Sequence, residues 1–199
     1  MHGRGRSYPL LAWLVFQLWL SPASGATLAD AMHVRTTDPV MRTAIANGLE
    51  RSPFFHDLVT QIDASDVIVY VQTECAMPAG LSGSLAFMTS AAGVRYVRIK
   101  IACRLDATMQ VAMLGHELRH AVEVASAASV VDEASLAAEY RRIGFPSHLL
   151  DKRTGFDTEA AIAAGYRVWH ELTRDGVDPD IRVASGAIHR RGVPFATGE

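Results

Sequence analysis

The sequence contains little cysteine and no excess of positive charge. Its 199 residues include two cysteines, Cys75 and Cys103, and neither belongs to a C-x-x-C pair. This spacing argues against a zinc site built from cysteine thiolates. The formal net charge is −2, so the composition predicts no electrostatic surface for nucleic acid or for anionic lipid. The sequence has no internal repeats either.

Long apolar runs are also scarce, and the strongest one lies near the N-terminus. Residues 10–20, LLAWLVFQLWL, follow a basic segment with Arg4 and Arg6 and precede the small residues of segment 21–26. This run is too short to span a bilayer, which takes about 20 apolar residues, but it suits a signal sequence. We therefore predict a signal peptide over residues 1–26, with an uncleaved membrane anchor as the alternative. Either interpretation exports the rest of the chain, as a secreted or periplasmic protein without further membrane contact.

Export makes a disulfide between Cys75 and Cys103 the expected state of the two thiols. Disulfides form and persist in oxidising compartments, and each cysteine follows a predicted strand. Two unpaired thiols remain the alternative, because the sequence does not show whether the two Cα atoms come within bonding reach.

Residues 27–175 are long enough to form one domain with a hydrophobic core. Apolar periodicity and β-rich segments predict an α+β fold. The predicted helices cover residues 38–55, 107–127, 132–143 and 158–173, and the predicted strands cover residues 66–72, 84–89 and 94–102. Residues 176–199 are rich in glycine, proline and charge, which predicts a polar and flexible tail.

The most specific feature of the chain is an H-E-x-x-H motif, His116-Glu117-Leu118-Arg119-His120, with apolar residues on both sides. Residues four apart on a helix share one face, so His116 and His120 can bind one zinc ion at about 2.0–2.1 Å. Glu117 can then act as a catalytic general base that takes a proton from a metal-bound water. The alternative is a buried helix whose polar side chains pair with one another.

A catalytic zinc ion usually has a third protein ligand, and the predicted packing of the helices favours Glu139, which follows His120 after 18 intervening residues. It would lie level with His120 if the two predicted helices formed an antiparallel hairpin about Val130. Glu133 is the runner-up, although it lies closer to the turn between the helices.

Other acidic residues have weaker claims on the metal. The metzincins are metallopeptidases whose H-E-x-x-H pattern continues with a glycine and a histidine. Glu123 and Ser126 stand at those two positions, so a resemblance to the metzincins is excluded. Glu123 lies on the same helix face as the motif, which predicts a partner of His120 in the second coordination sphere. Asp157 and Glu159 are further candidates for the third ligand.

These residues resemble the zincin metallopeptidases, and the spacing of Glu139 resembles the gluzincin group that includes thermolysin and many aminopeptidases. The resemblance implies a zinc-dependent hydrolase with a peptidase as its leading class, acting on a peptide or protein. It also implies a small zincin-like domain, in which a short, mainly antiparallel sheet packs against the H-E-x-x-H helix and its partner helices. An edge strand would lie beside the cleft, and residues 94–101 are the predicted edge. A non-catalytic protein with a structural zinc site and a metal-free interaction domain are the alternatives.

Overall fold

Helices and strands are mixed along the part of the chain that the structure, a computed structural model, describes: residues 32–148 and 154–174. The helices are α1 (Pro39–Arg51), α2 (Pro53–Asp63), α3 (Ala107–Ser126), α4 (Glu133–Ile143) and α5 (Glu159–Arg174). The strands are β1 (Val34–Arg35), β2 (Val67–Glu74), β3 (Gly83–Ala91), β4 (Val94–Ala102), β5 (Phe145–His148) and β6 (Thr154–Asp157). This is the predicted α+β composition.

The two predicted end segments, the signal peptide over residues 1–26 and the tail over residues 176–199, lie outside the described residues. None of the helices within 32–148 and 154–174 is long and apolar enough to cross a bilayer.

The larger sheet has the strand order β1-β2-β4-β3. β1 pairs with β2 and β2 pairs with β4 in parallel, whereas β3 and β4 form an antiparallel hairpin. The expectation of a mainly antiparallel sheet is therefore wrong. After β2 the chain crosses to the outer position of the sheet, and the hairpin then returns β4 alongside β2. A separate two-stranded sheet pairs β5 with β6 in antiparallel orientation.

The edge strands of the larger sheet are β1 and β3, and the predicted edge segment 94–101 is not one of them. That segment belongs to β4, which has β2 on one side and β3 on the other. Its alternation is real, because Val97, Ile99 and Ile101 are fully buried and the intervening residues are partly exposed. Alternation reports that one face of a strand is buried, and it carries no information about whether both edges are paired.

Helix α3 lies in the middle of the core, and 13 of its 20 residues are buried. It packs against the core-facing side chains of the sheet and against α5. A Cβ atom at Gly115 would come within 2.7 Å of Val168 Cγ2 on α5. Glycine at this position therefore lets the two helices approach closely, and this matters because α3 carries the H-E-x-x-H motif.

The disulfide joins Cys75 and Cys103, which directly follow β2 and β4. The two strands are parallel neighbours and end in register at Glu74 and Ala102, so the next residue on each is placed opposite the other. Their Cα atoms are 5.0 Å apart, within the range that a disulfide spans. This is the pairing that the sequence predicts.

The guanidinium of Arg95 secures the C-terminal end of α3. Arg95 is on the core-facing side of β4 and is 5% exposed. It donates hydrogen bonds of 2.7 and 2.8 Å to the carbonyl oxygens of Val124 and Ala127, and longer ones to those of Ala125 and Val130. The last carbonyls of a helix have no partners within the helix, and a cation there also complements the helix dipole. Arg95 thus ties the end of the motif helix to the sheet.

We expect Arg95→Met to lower the free energy of unfolding by about 3 kcal/mol, since buried carbonyls that lose their donor cost about 1–3 kcal/mol each. Urea denaturation measures this loss. Lys100→Met is the control, because its ion pair with Glu74 is partly exposed and such pairs contribute about 0–1 kcal/mol. Equal losses in the two variants would contradict the capping role of Arg95.

The partner of Arg95 makes the stability of the fold depend on pH. Hydrogen bonds from Arg95 hold the pKa of Asp66 below its ordinary value of 3.8. Because the pKa is lower in the folded state, this contribution is fully present above about pH 4 and is lost as the pH falls through the folded-state pKa. We expect Asp66→Asn to reduce the loss of thermal stability on acidification below about pH 4. The exposed Asp57→Asn on α2 is the control, and identical profiles for the two variants would refute the expectation.

Candidate metal centre

Helix α3 places both histidines of the motif on one buried face. Asp106 caps the start of the helix by accepting a 2.8 Å hydrogen bond from the Met109 amide, and the helix continues unbroken through the motif. His116 and His120 are 7% and 6% exposed. Their ring centroids are 4.9 Å apart in an edge-to-face arrangement, so the four-residue spacing brings the two imidazoles together.

Asp157, at the end of β6, completes a group of three potential ligands. Its Oδ1 atom lies 3.4 Å from His116 Nε2 and 3.5 Å from His120 Nε2. These distances are longer than ordinary hydrogen bonds of about 2.7–3.2 Å. They match the separation of about 3.3 Å between two atoms that each lie about 2.0–2.1 Å from one tetrahedral ion. The three residues could therefore hold a metal ion, and within the described residues no other group of His, Cys, Asp and Glu brings its ligand atoms as close.

The N-terminus of α5 holds Asp157 in position. The Thr158 amide donates a 2.7 Å hydrogen bond to Asp157 Oδ1, and Thr158 Oγ1 accepts one of 3.1 Å from the Ala161 amide. Burial opposes ionisation of Asp157, but the two histidines beside its carboxylate and the hydrogen bond from the Thr158 amide hold its pKa below the ordinary value. The carboxyl is thus kept in the ionised form that a metal requires.

Glu123 orients His120 from behind. Its Oε2 atom lies 2.9 Å from His120 Nδ1, and its Oε1 atom accepts a 2.8 Å hydrogen bond from Thr158 Oγ1. With the proton of Nδ1 directed to Glu123, Nε2 is left to face Asp157 and His116. A carboxylate behind a histidine in this way fixes the ring and raises its basicity as a ligand, which is the role that the sequence predicts for Glu123.

The two histidines differ in their affinity for protons. Burial and the neighbouring His120 lower the pKa of His116 to about 4. Burial also acts to lower the pKa of His120, but the carboxylates of Asp157 and Glu123 beside its ring prevail and raise it to about 9. His120 is thus the protonated ring at neutral pH. A metal ion that binds His120 must displace this proton, so metal binding at the group releases a proton.

Glu117 lies against the edge strand, in a place that only a glycine leaves open. A Cβ atom at Gly83, the first residue of β3, would lie 2.9 Å from Met113 Cγ and closer still to Glu117 Oε1. Glu117 is 4% exposed, and burial raises its pKa to about 7. Such a carboxyl can both accept and return a proton near neutral pH. Nothing in the local sequence marks Gly83 as part of the site.

Helix α4 presents Tyr140, rather than Glu139, to the histidines. The Tyr140 hydroxyl donates a 3.1 Å hydrogen bond to the carbonyl oxygen of His120, and the two rings are in edge-to-face contact at 5.1 Å. Glu139 instead forms an ion pair with Arg142. The helix hairpin does bring residues 139–140 level with His120, as predicted. Adjacent residues on a helix point about 100° apart, so Tyr140 takes the inner face and Glu139 the outer one.

Glu133, the second predicted candidate, lines the same cleft but does not belong to the group of three. It begins α4, seven residues before Tyr140, which corresponds to about 10 Å along the helix axis. Asp157 therefore occupies the position that the spacing argument gave to Glu139 or Glu133. Glu159 is outside the group as well.

The group of three and Glu117 line an open cleft of about 330 Å³. One wall is residues 83–87 of the edge strand, and another is the face of α4 that carries Leu136, Ala137 and Tyr140. The hairpin of β5 and β6 contributes Ser147, Gly155 and Phe156. A metal ion held by the group would thus be accessible to a substrate in the cleft.

Comparison with known proteins identifies no relative. No protein-family model, no curated protein and no solved structure matches the chain. The function is therefore inferred from the residues and geometry of the site.

The hydrogen bonds of Thr158 can be tested by substitution. Thr158→Val removes the donor to Glu123 and the side-chain cap of α5. If the group holds a divalent metal ion, we expect this variant to weaken the affinity for an added ion by about tenfold, as loss of a second-sphere partner does. Thr158→Ser keeps the hydroxyl and is expected to match the parent. Competition with a chelating dye measures the affinities of all three proteins. Equal affinities of the valine and serine variants would show that the hydrogen bond from Thr158 has no role in holding the site.

Proposed function

We propose that this protein is a zinc-dependent peptidase in which His116, His120 and Asp157 hold the metal and Glu117 is the general base. The observation that carries the proposal is the juxtaposition of Glu117 with the group of three in one cleft. The pKa of Glu117, raised to about 7 by burial, suits proton transfer at neutral pH. The resemblance of the motif to the zincins points to the same chemistry.

The donor set favours zinc and an open coordination position. Two imidazoles and one carboxylate are nitrogen and oxygen ligands of the kind that zinc binds in tetrahedral geometry. Structural zinc sites have four protein ligands, whereas catalytic ones have three and leave a position for water or substrate. The described group has three members and borders a cleft, which favours catalysis over a structural zinc site.

The proposed reaction is hydrolysis of a peptide bond. A zinc ion held by His116, His120 and Asp157 would acidify a bound water and polarise the scissile carbonyl. Glu117 accepts a proton from the attacking water as its oxygen forms a bond to the carbonyl carbon. The carbon–nitrogen bond then breaks, and Glu117 returns the proton to the departing amine. Glu123 and Thr158 keep His120 oriented throughout.

The edge strand β3 suits an extended peptide substrate. Its side away from β4 has no neighbouring strand among the described residues, so its backbone groups are available to pair with a peptide by β-augmentation. Residues 83–87 of this strand line the cleft. A paired peptide would therefore pass directly by Glu117 and the metal ligands. This arrangement supports the zincin-like fold that the resemblance implies, with an aspartate in place of the gluzincin glutamate.

Export forms part of the proposal. The predicted signal peptide would direct the chain out of the cytoplasm, to a secreted or periplasmic location. The disulfide between Cys75 and Cys103 supports this, because disulfides persist chiefly in oxidising compartments.

Three substitutions test the proposal. Glu117→Gln is expected to retain one equivalent of zinc and to lose hydrolysis by at least about 100-fold, the contribution of a general base. Asp157→Ala is expected to lose both zinc affinity and hydrolysis. Glu139→Ala, the matched control, is expected to keep both because Glu139 is directed away towards Arg142.

Zinc content by elemental analysis and cleavage of an unfolded protein substrate, with and without chelator, provide the measurements. Undiminished cleavage by Glu117→Gln would refute the mechanism. Loss of zinc in Glu139→Ala but not in Asp157→Ala would refute the assignment of the third ligand.

A further inference from the structure

The charges that line the cleft are all of one sign apart from the histidines. Among the described lining residues the acidic side chains are Glu117, Glu133 and Asp157, and none is lysine or arginine. Asp157 faces the two histidines, and Glu117 is buried behind β3. Glu133 is the carboxylate that faces solvent at the rim of the cleft.

Glu133 is an exposed residue at the start of α4. No hydrogen bond or ion pair with the described residues engages its carboxylate. The N-terminus of α4 is already capped by Asp132, which accepts a 2.8 Å hydrogen bond from the Ser135 amide. The carboxylate of Glu133 is therefore available to a molecule in the cleft.

Both walls of the cleft lead from the metal ligands towards Glu133. Along α4, Glu133 lies about 10 Å from the level of Tyr140, at about 1.5 Å per residue, and Tyr140 contacts His120. Along β3, the strand begins at Gly83 beside Glu117 and ends near the start of α4, where the Ser90 hydroxyl donates to the Val131 carbonyl oxygen at 3.3 Å.

Large apolar side chains form part of the cleft lining: Leu85, Phe87, Leu136 and Phe156. A strand rises about 3.3 Å per residue, so an extended peptide that follows β3 covers 10 Å in about three residues.

On the basis of the proposed function, we infer that Glu133 is a specificity-determining residue that binds a cationic side chain of the substrate. The preferred substrate is a peptide with apolar side chains next to the scissile bond and a lysine or arginine about three residues away on one side. An acidic side chain at that position is disfavoured, because the described residues that line the cleft include three carboxylates and no lysine or arginine.

Matched peptides and charge variants test this inference. The probes are fluorogenic peptides with one apolar centre and Lys, Gln or Glu at a single flanking position, moved one residue at a time. The zinc-loaded full chain is compared with Glu133→Gln, Glu133→Lys and the control Glu50→Gln, an exposed glutamate of α1. We measure kcat/KM by cleavage, and Kd by fluorescence anisotropy in a Glu117→Gln background.

The parent and Glu50→Gln are expected to prefer Lys over Gln by about fivefold at the third flanking position, the upper range for an exposed ion pair. Glu133→Gln is expected to lose this preference, and Glu133→Lys to reverse it in favour of the Glu peptide. No preference in the parent, or a preference that survives in Glu133→Gln, would overturn the inference.

The two measurements separate this inference from the proposed function. Zinc-dependent cleavage that is insensitive to the flanking charge would support the proposed peptidase activity and refute the role of Glu133. Peptide binding that depends on Glu133, without any cleavage, would support the recognition site and refute the peptidase activity. Absence of both binding and cleavage would refute both proposals.

Discussion

The rest of the structure depends on the hydrogen bonds that the buried guanidinium of Arg95 donates. It joins the middle of the sheet to the C-terminal carbonyls of α3 and pairs with Asp66 at the start of β2. A helix end buried without such donors would leave several carbonyls unsatisfied. The helix anchored in this way is the one that carries His116, Glu117 and His120.

The candidate metal centre forms where a second helix begins. Close packing of Gly115 against Val168 lets α5 lie against α3, and the two residues that precede α5 then provide both a potential ligand, Asp157, and its support, Thr158. Thr158 hydrogen-bonds through its amide to Asp157 and through its hydroxyl to Glu123. The candidate ligands and their hydrogen-bond partners thus come from α3 and from the residues just before α5, so a metal ion bound there would also stabilise the packing of α5.

Short-range patterns predict part of this architecture well. The helix over 107–127 and the shared face of its histidines follow from spacing alone, and so does the pairing of Glu123 with His120. Longer-range expectations fared less well. Residues 94–101 were predicted as an edge strand, but they belong to β4, which is paired on both sides. Alternation of apolar and polar residues shows that one face of a strand is buried and does not show which strand edge is unpaired. The helix hairpin brought residues 139–140 level with His120, as expected. Tyr140, rather than Glu139, is directed towards His120, because adjacent residues on a helix point about 100° apart.

The sequence by itself determined the residues that act within one helix: His116, Glu117, His120 and Glu123. Their relative positions follow from helical geometry, which holds wherever the helix lies. Only the tertiary structure decided that Asp157 joins them and that Gly83 makes room for Glu117. Those contacts depend on how distant segments pack and on which edge of the sheet stays unpaired. The bridging role of Thr158 likewise required the crossing of α3 and α5, because no local pattern encodes a contact across 35 positions of sequence.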